Sequence, residues 1–337
     1  MNNKDNHNNM GWRTAFLAFS IMVLILTTAC GDNTTAEPRT IDSDTSQTSA
    51  VNDEDVNQDG LVEQYRTTVS HAKETGEIIS FLNENLAKAG EKNADIMIRE
   101  LNVFYDADLE RTQDAFFQPK VQESLMALPW PITSANAGSI EDDEIKQLVV
   151  TKLSGGYKLV EVEGSIYPIV DYEMQKKMSS NYLSEPLNQY ITLKALESNE
   201  MSAKDGGLVI SWDELANRAV MSENFVKRYP DSPEWEEVKQ TYLQRYLSIY
   251  LIGLNNTPVF DYETYKLSSE VRSSYERLIS LHPDTVTAKM AQRFLDVLAE
   301  TKGQVFTKIN GQQSDIAVVR QFHDSFLSEA ESMLIPS

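Results

Sequence analysis

One thiol in a chain of 337 residues rules out an intrachain disulfide, which needs two. Whatever folds here must therefore hold itself together by burying apolar surface. The composition permits this: aliphatic, aromatic and sulfur side chains make up 41% of the residues, enough to build a core. The length suits one large domain or two ordinary ones. Lys and Arg number 30 against 51 Asp and Glu, a formal charge of -21. That field repels phosphodiester backbones and anionic head groups, so a nucleic-acid partner is disfavoured, and it attracts cations or basic partners. The acids are spread along the chain, as solubility alone would place them.

The position of the thiol carries further information. Residues 1–13 are polar and include Lys4 and Arg13, whereas residues 14–29, TAFLAFSIMVLILTTA, carry no charge. As a helix this apolar run would be about 24 Å long, short of a hydrocarbon core of about 30 Å. A charged start, an apolar stretch and small residues in that order make an export signal. Cys30 closes the sequence LTTAC at 26–30 and is followed at once by hydrophilic residues. This segment resembles the lipobox of bacterial lipoprotein precursors, with Thr27 at the position where that pattern usually has Leu. The resemblance implies cleavage after a signal peptide at 1–29 and attachment of a palmitate-type diacylglycerol to Cys30. It further implies anchorage on the outer face of the cell membrane. Gly31, rather than Asp, after the cysteine would fit onward export where an outer membrane exists. Two acyl chains at about 0.8 kcal/mol per buried methylene would hold the body firmly.

Residues 30–60 contain almost no large apolar side chain and read as an acidic tether without structure, with a root-mean-square span of roughly 30 Å. At its end, Asp55, Asn57, Asp59 and Gly60 match positions 1, 3, 5 and 6 of an EF-hand loop. The twelfth position, where a bidentate Glu is required, is Arg66, so no metal is expected. A turn in which Asp59 or Gly60 caps the first helix is the simpler reading.

From Leu61 onward the apolar spacing is mostly helical, predicting a mainly α fold of helical hairpins or a bundle. Helices are expected over 61–89, with Gly76 a weak point, and over 92–127, interrupted by Pro119. A loop follows at 128–138, then a helix capped by Ser139 with the acids 141–144 in its first turn. The stretch 157–172 alternates Leu159, Glu161 and Glu163 and predicts one small β-hairpin around Gly164. Helices resume at 173–200, and Ser211 with Glu214 forms the sequence pattern of a capping box. Division of the folded part into 61–204 and 205–337 is expected, or a boundary near 135.

The segments FVKRYPDSPEW (225–235) and LISLHPDTVTA (278–288) echo each other at an offset of 53 residues. Each places a helix end, a Pro-Asp-Ser or Pro-Asp-Thr turn, and a new helix start. This resembles the turn of tetratricopeptide-like helical hairpins, which implies protein binding, though that family repeats every 34 residues.

Signatures of catalysis are missing from the sequence. None of His7, His71, His282 and His323 belongs to a metal-binding pattern, and there is no nucleophile elbow, phosphate loop or dinucleotide fingerprint. No cofactor is expected. Tyr242, Tyr246 and Tyr250, four apart on one helix face, together with Trp212, Asn255, Asn256, Phe260 and Tyr262, form the candidate binding surface. The sequence thus predicts a lipid-anchored binding or scaffold lipoprotein of the bacterial cell envelope, with a protein or envelope partner. An envelope hydrolase acting on cell-wall or peptide substrates, its site assembled only in three dimensions, is the alternative.

Overall fold

The computed structural model describes residues 53–334, with the backbone alone for 53–59. The segment expected to be a signal peptide, Cys30 and most of the expected tether lie outside the described residues. The described chain folds as one compact unit. It begins with α1 (Asp53–His71), α2 (Thr75–Ala89) and α3 (Glu91–Phe116). The expected helix 61–89 is thus two helices. A new helix start at Glu74, whose side chain and that of Glu77 cap each other's backbone, replaces the continuous turn. Because α1 already runs from Asp53, residues 55, 57 and 59 stand on a helical backbone rather than in a loop, and neither Asp59 nor Gly60 caps it.

Pro119 breaks the next run as expected, and it occupies the first turn of α4 (Pro119–Met126), where its missing N–H costs nothing. The loop after it contains a single helical turn, α5 (Ser134–Ala137). The cap of α6 (Asp143–Ser154) is Asp142, not Ser139: its carboxylate accepts from the Glu144 and Ile145 amides at 3.0 and 3.1 Å. An ionised cap at a helix N-terminus is favoured by the dipole as well as by the hydrogen bonds, so the acid three residues further on takes the position.

From here a pattern repeats that the sequence reveals only in part. A two-stranded antiparallel hairpin, β1 (Tyr157–Val162) and β2 (Ser165–Val170), precedes α7 (Tyr172–Ser179) and α8 (Glu185–Asn199). A second, β3 (Ala203–Lys204) and β4 (Gly207–Leu208), precedes α9 (Trp212–Arg228). One continuous helical run follows, consisting of α10 (Trp235–Gln240), a π-helix (Thr241–Leu247) and α11 (Ser248–Ile252). A third hairpin, β5 (Gly253–Leu254) and β6 (Thr257–Pro258), leads to α12 (Ser269–Leu281) and α13 (Val286–Glu300). The last, β7 (Phe306–Ile309) and β8 (Gln312–Asp315), leads to α14 (Ala317–Leu334).

Four hairpins rather than one therefore punctuate the helices among the described residues. Three of them turn through residue pairs with positive φ at both positions, Glu163–Gly164, Asp205–Gly206 and Asn310–Gly311, the backbone that matches strand twist in a two-residue turn. Neighbouring hairpins touch. The Asn256 amide donates to the Gly206 carbonyl at 2.9 Å, and the Leu208 amide donates to Thr257 Oγ1 at 3.0 Å.

The 53-residue echo has a geometric counterpart. α9 and α12 both end on a residue with almost the same backbone, Tyr229 at φ -126, ψ 60 and His282 at φ -135, ψ 51. Each donates its amide to the carbonyl four residues back.

The main core runs from Val62 to Leu334 without a break at 204/205, so the expected division there does not interrupt the packing. A smaller apolar cluster, including Phe116, Leu125, Ile145 and Val149, sits under α4 and α6. One face of the first hairpin serves both clusters. Tyr157 and Val170, opposite each other, join the main core, and Leu159 and Ile166 reach the smaller one. Each fully buried Leu, Ile or Phe in these cores stabilises the fold by roughly 1.5–3 kcal/mol relative to exposure. No helix among the described residues is long and apolar enough to cross a membrane.

Candidate functional site

Most of the surface expected from the sequence is core. Trp212, Tyr242, Tyr246, Tyr250 and Phe260 are all buried. The phenols are affordable inside because each has a partner. Tyr242 shares a hydrogen bond with Thr287 Oγ1 (3.1 Å), Tyr250 with Ser274 Oγ (3.0 Å), and Tyr246 donates to Glu197 Oε2 (3.3 Å). Burial pushes all three phenols above their ordinary pKa. Only Asn255, Asn256 and Tyr262 remain at the surface. Asn256 is spent on the neighbouring hairpin, and the Tyr262 hydroxyl donates to the Asn255 carbonyl at 2.9 Å.

The tyrosine stripe also accounts for the π-helix. In an α-helix, residues four apart drift by about 40° per step around the axis. A wider turn over Thr241–Leu247 reduces that drift and keeps Tyr242, Leu243, Tyr246 and Leu247 facing the core together. π-turns are rare and concentrate at functional sites.

Here the π-helix lines a cavity of about 460 Å³, contributing Thr241, Arg245 and Tyr246. Its other walls are Asp106 and Leu109 from α3, Ile169 and Val170 from β2, Tyr172 from α7, and Tyr190, Leu193, Lys194, Glu197 and Ser198 from α8. Met201, Ser222, Glu237 and Val238 complete it. The volume falls within the range of small-molecule pockets, and the mixture of apolar walls with a few polar groups is usual for them.

Two polar groups of the pocket are internally satisfied. Lys194 Nζ donates to Glu237 Oε1 at 2.8 Å, and the Tyr190 hydroxyl donates to Glu237 Oε2 at 2.8 Å. The same ammonium lies over the Tyr172 and Tyr190 rings, 5.1 and 5.6 Å from their centroids. Burial works to lower the Lys194 pKa, but Tyr172, Glu237 and Asp106 outweigh it and hold the ammonium at about 12. On the other side Glu197 accepts from Arg245, from Arg218 Nη1 (3.2 Å) and from the Ser202 amide (2.9 Å). Arg218 is in turn matched by Glu214 at 2.8 Å. Glu214 therefore does not complete the capping box; Ser211 alone caps α9 by accepting from the Glu214 amide at 3.1 Å.

Asp106 differs from these. It faces the cavity with no hydrogen-bond donor among the described residues, and loss of solvent raises its carboxyl pKa, with Lys194 lowering it and Glu237 raising it.

The histidines are elsewhere. His71 Nδ1 contacts the Thr67 carbonyl at 2.8 Å on the surface, and His282 forms the C-cap of α12. His323 packs against Phe294 and Phe322 and lines a smaller cavity of about 290 Å³ with Asp315 and Asp324. Both carboxylates there face Arg320, at 3.6 and 3.8 Å, and His323 Nε2 is buried with no hydrogen-bond partner. The ring thus shares its small cavity with two carboxylates, and neither is hydrogen-bonded to its Nε2. No group of metal-ligating side chains occurs among the described residues.

No protein-family model, curated protein or solved structure matches this chain.

Proposed function

We propose that this chain is a lipid-anchored binding lipoprotein of the bacterial cell envelope, whose helical body holds a small ligand or a peptide end in the cavity beside the π-helix. The carrying observation is the cavity itself: about 460 Å³, walled by aliphatic side chains, with a carboxylate that the fold leaves without a donor. Cys30 and the tether after it supply the placement and the reach, so that confinement near the membrane raises the local concentration of an envelope ligand.

The test has two arms. Labelled palmitate should enter the wild-type chain in cells and not Cys30→Ala, with wild type in the membrane fraction. Native mass spectrometry of the purified protein should retain a ligand that is lost on blocking the cavity with Ser198→Leu. An unlabelled chain would end the lipoprotein reading, and identical spectra for both proteins would end the pocket reading.

One observation favours the alternative of an envelope hydrolase. A carboxyl with raised pKa, Asp106, shares its cavity with the ion-paired Glu237, and separated carboxylates of this kind divide acid and base roles in glycosidases. Glu237, however, is already engaged by Lys194 and Tyr190, which supports a holding rather than a reacting role. Turnover of cell-wall fragments by wild type, abolished in both Asp106→Asn and Glu237→Gln, would reverse the order.

A further inference from the structure

Counting charges around the cavity narrows what it can hold. Its lining residues include three carboxylates, Asp106, Glu197 and Glu237, and two cations, Lys194 and Arg245. Lys194 is paired with Glu237 at 2.8 Å and Arg245 with Glu197. Arg218, behind Glu197, is balanced by Glu214. One carboxylate, Asp106, is left with no hydrogen-bonded or ion-paired partner among the described residues; Lys194, already held by Glu237, acts on it only from a distance.

Much of the remaining wall is apolar, formed by Leu109, Ile169, Val170, Leu193, Met201 and Val238, and the rest carries uncharged hydroxyls. A partly desolvated carboxylate without donors is stabilised by any cation placed beside it, and a charge-assisted hydrogen bond is the strong form of that contact. An anionic ligand would instead have to displace Glu237 or Glu197 from an existing pair and then face Asp106. A neutral ligand would gain the apolar contacts and leave the carboxylate unanswered. The charge of -21 on the whole chain adds to the same preference by drawing cations toward the protein.

We infer that the cavity recognises an ammonium group borne on an apolar body, with the nitrogen donating to the Asp106 carboxylate and the body lying against Leu109, Leu193 and Val238. Such a group is supplied by the free N-terminus of a hydrophobic peptide or by a simple aliphatic amine. This rests on the binding reading above and specifies its ligand. The Lys194–Glu237 pair, stacked on Tyr172 and Tyr190, then forms a polar border that keeps a second anion out rather than the contact that reads the ligand.

Calorimetric titration of the purified full chain with four probes at neutral pH tests this. Leu-Leu-amide carries the ammonium and no carboxylate; N-acetyl-Leu-Leu carries the reverse; N-acetyl-Leu-Leu-amide carries neither; hexylamine carries the ammonium without a peptide. Leu-Leu-amide should bind about tenfold or more tighter than its acetylated form, the size expected when a charged group gains a hydrogen bond. Asp106→Asn should remove that difference. Asp106 is exposed at the rim and bonds to no other side chain, so the variant keeps the fold, and the wild-type probe series reads the same question without any substitution. Binding of hexylamine alongside Leu-Leu-amide indicates a general amine site, and binding of the peptide alone indicates a peptide N-terminus; both support the assignment. Equal binding of all the probes, or preference for the free carboxylate, overturns the ammonium assignment while leaving a binding pocket in place. No binding by any of the four overturns both.

Discussion

Two joints between successive helical units solve the same packing problem in opposite ways. Where α9 meets α13, the junction is sealed. Glu223 of α9 is fully buried, and its carboxylate accepts from the amides of Val286 and Thr287 at 2.7 and 2.9 Å and from Thr287 Oγ1 at 2.8 Å. Lys227 supplies a counter-charge at 2.6 Å. One unit earlier, where α8 meets α9 and the π-helix, carboxylates again gather, but the space between the helices stays open and one of them has no donor. In the first case a buried acid completes the N-terminus of a neighbouring helix, where four amides and the dipole await an anion. In the second the helix ends are capped elsewhere: Asp95 of α3 takes the Ser184 amide and hydroxyl at 2.9 and 2.6 Å, ahead of α8. With its capping done at a distance, the joint is released from a structural duty, and its acids can face a ligand.

The sharpest way to break this contrast is to remove the seal. Glu223→Ala strands two buried amides and should destabilise the fold by about 3–5 kcal/mol, read as a lowered denaturation midpoint. The matching change at the open joint, Lys194→Met, removes a half-exposed pair and should cost under about 1 kcal/mol in the same experiment. Comparable losses from the two variants would mean that the open joint is as structural as the sealed one.

A third variant makes the open joint resemble the sealed one. Ser198→Leu places an apolar side chain into the cavity and should abolish probe binding while leaving the melting temperature within a few degrees.

Acid sensitivity adds a control outside both joints. Asp108 lies in a buried network, accepting from Lys152 (3.1 Å), Thr112 (2.9 Å), Tyr157 (2.9 Å) and Arg111. Burial would raise its carboxyl pKa, but these four donors outweigh it and hold the group at about 2. Because that value lies below the unfolded one of about 3.9, the stabilisation is present above pH 4 and fades as the pH falls toward 2. Asp108→Asn should flatten the stability profile across that window.

The smallest effect concerns His323, whose burial lowers its pKa with Asp324 and Asp315 opposing. The neutral ring is the form the fold accepts, so stability present above about pH 6.5 should decline as the pH drops below it. His323→Leu should remove that slope.

Much of the fold was legible because single residues punctuate it. Pro119 stops α3, Ser211 starts α9, and the Pro-Asp turns mark two helix pairs whose backbones prove nearly superposable at Tyr229 and His282. The hairpin at 157–170 was readable from its alternation over six-residue strands. β3 to β6 were not, since strands of two residues are too short to show a period. The acidic start of α6 was recognised, but the cap moved to Asp142 because several acids competed for one role.

The site was hidden for a different reason. Its walls come from segments scattered between Asp106 and Tyr246, and no local spacing joins them. The tyrosines that drew attention instead were conspicuous because they repeat every four residues, which marks a buried face as readily as an exposed one.

The widened helical turns beside the cavity have a mechanical corollary. A helix that winds too loosely over seven residues stores a local surplus of chain. Excising one residue from it would return that segment to ordinary winding with little rotation of what lies beyond, whereas excising one from the ordinary turns of α10 would swing Tyr250 and Leu251 by about 100° around the shaft. The anchoring of the third hairpin and the seat of α12 are thus buffered against the loss of a single residue in one short stretch and nowhere else along the shaft, much as a slack loop in a rope absorbs a cut that a taut length could not.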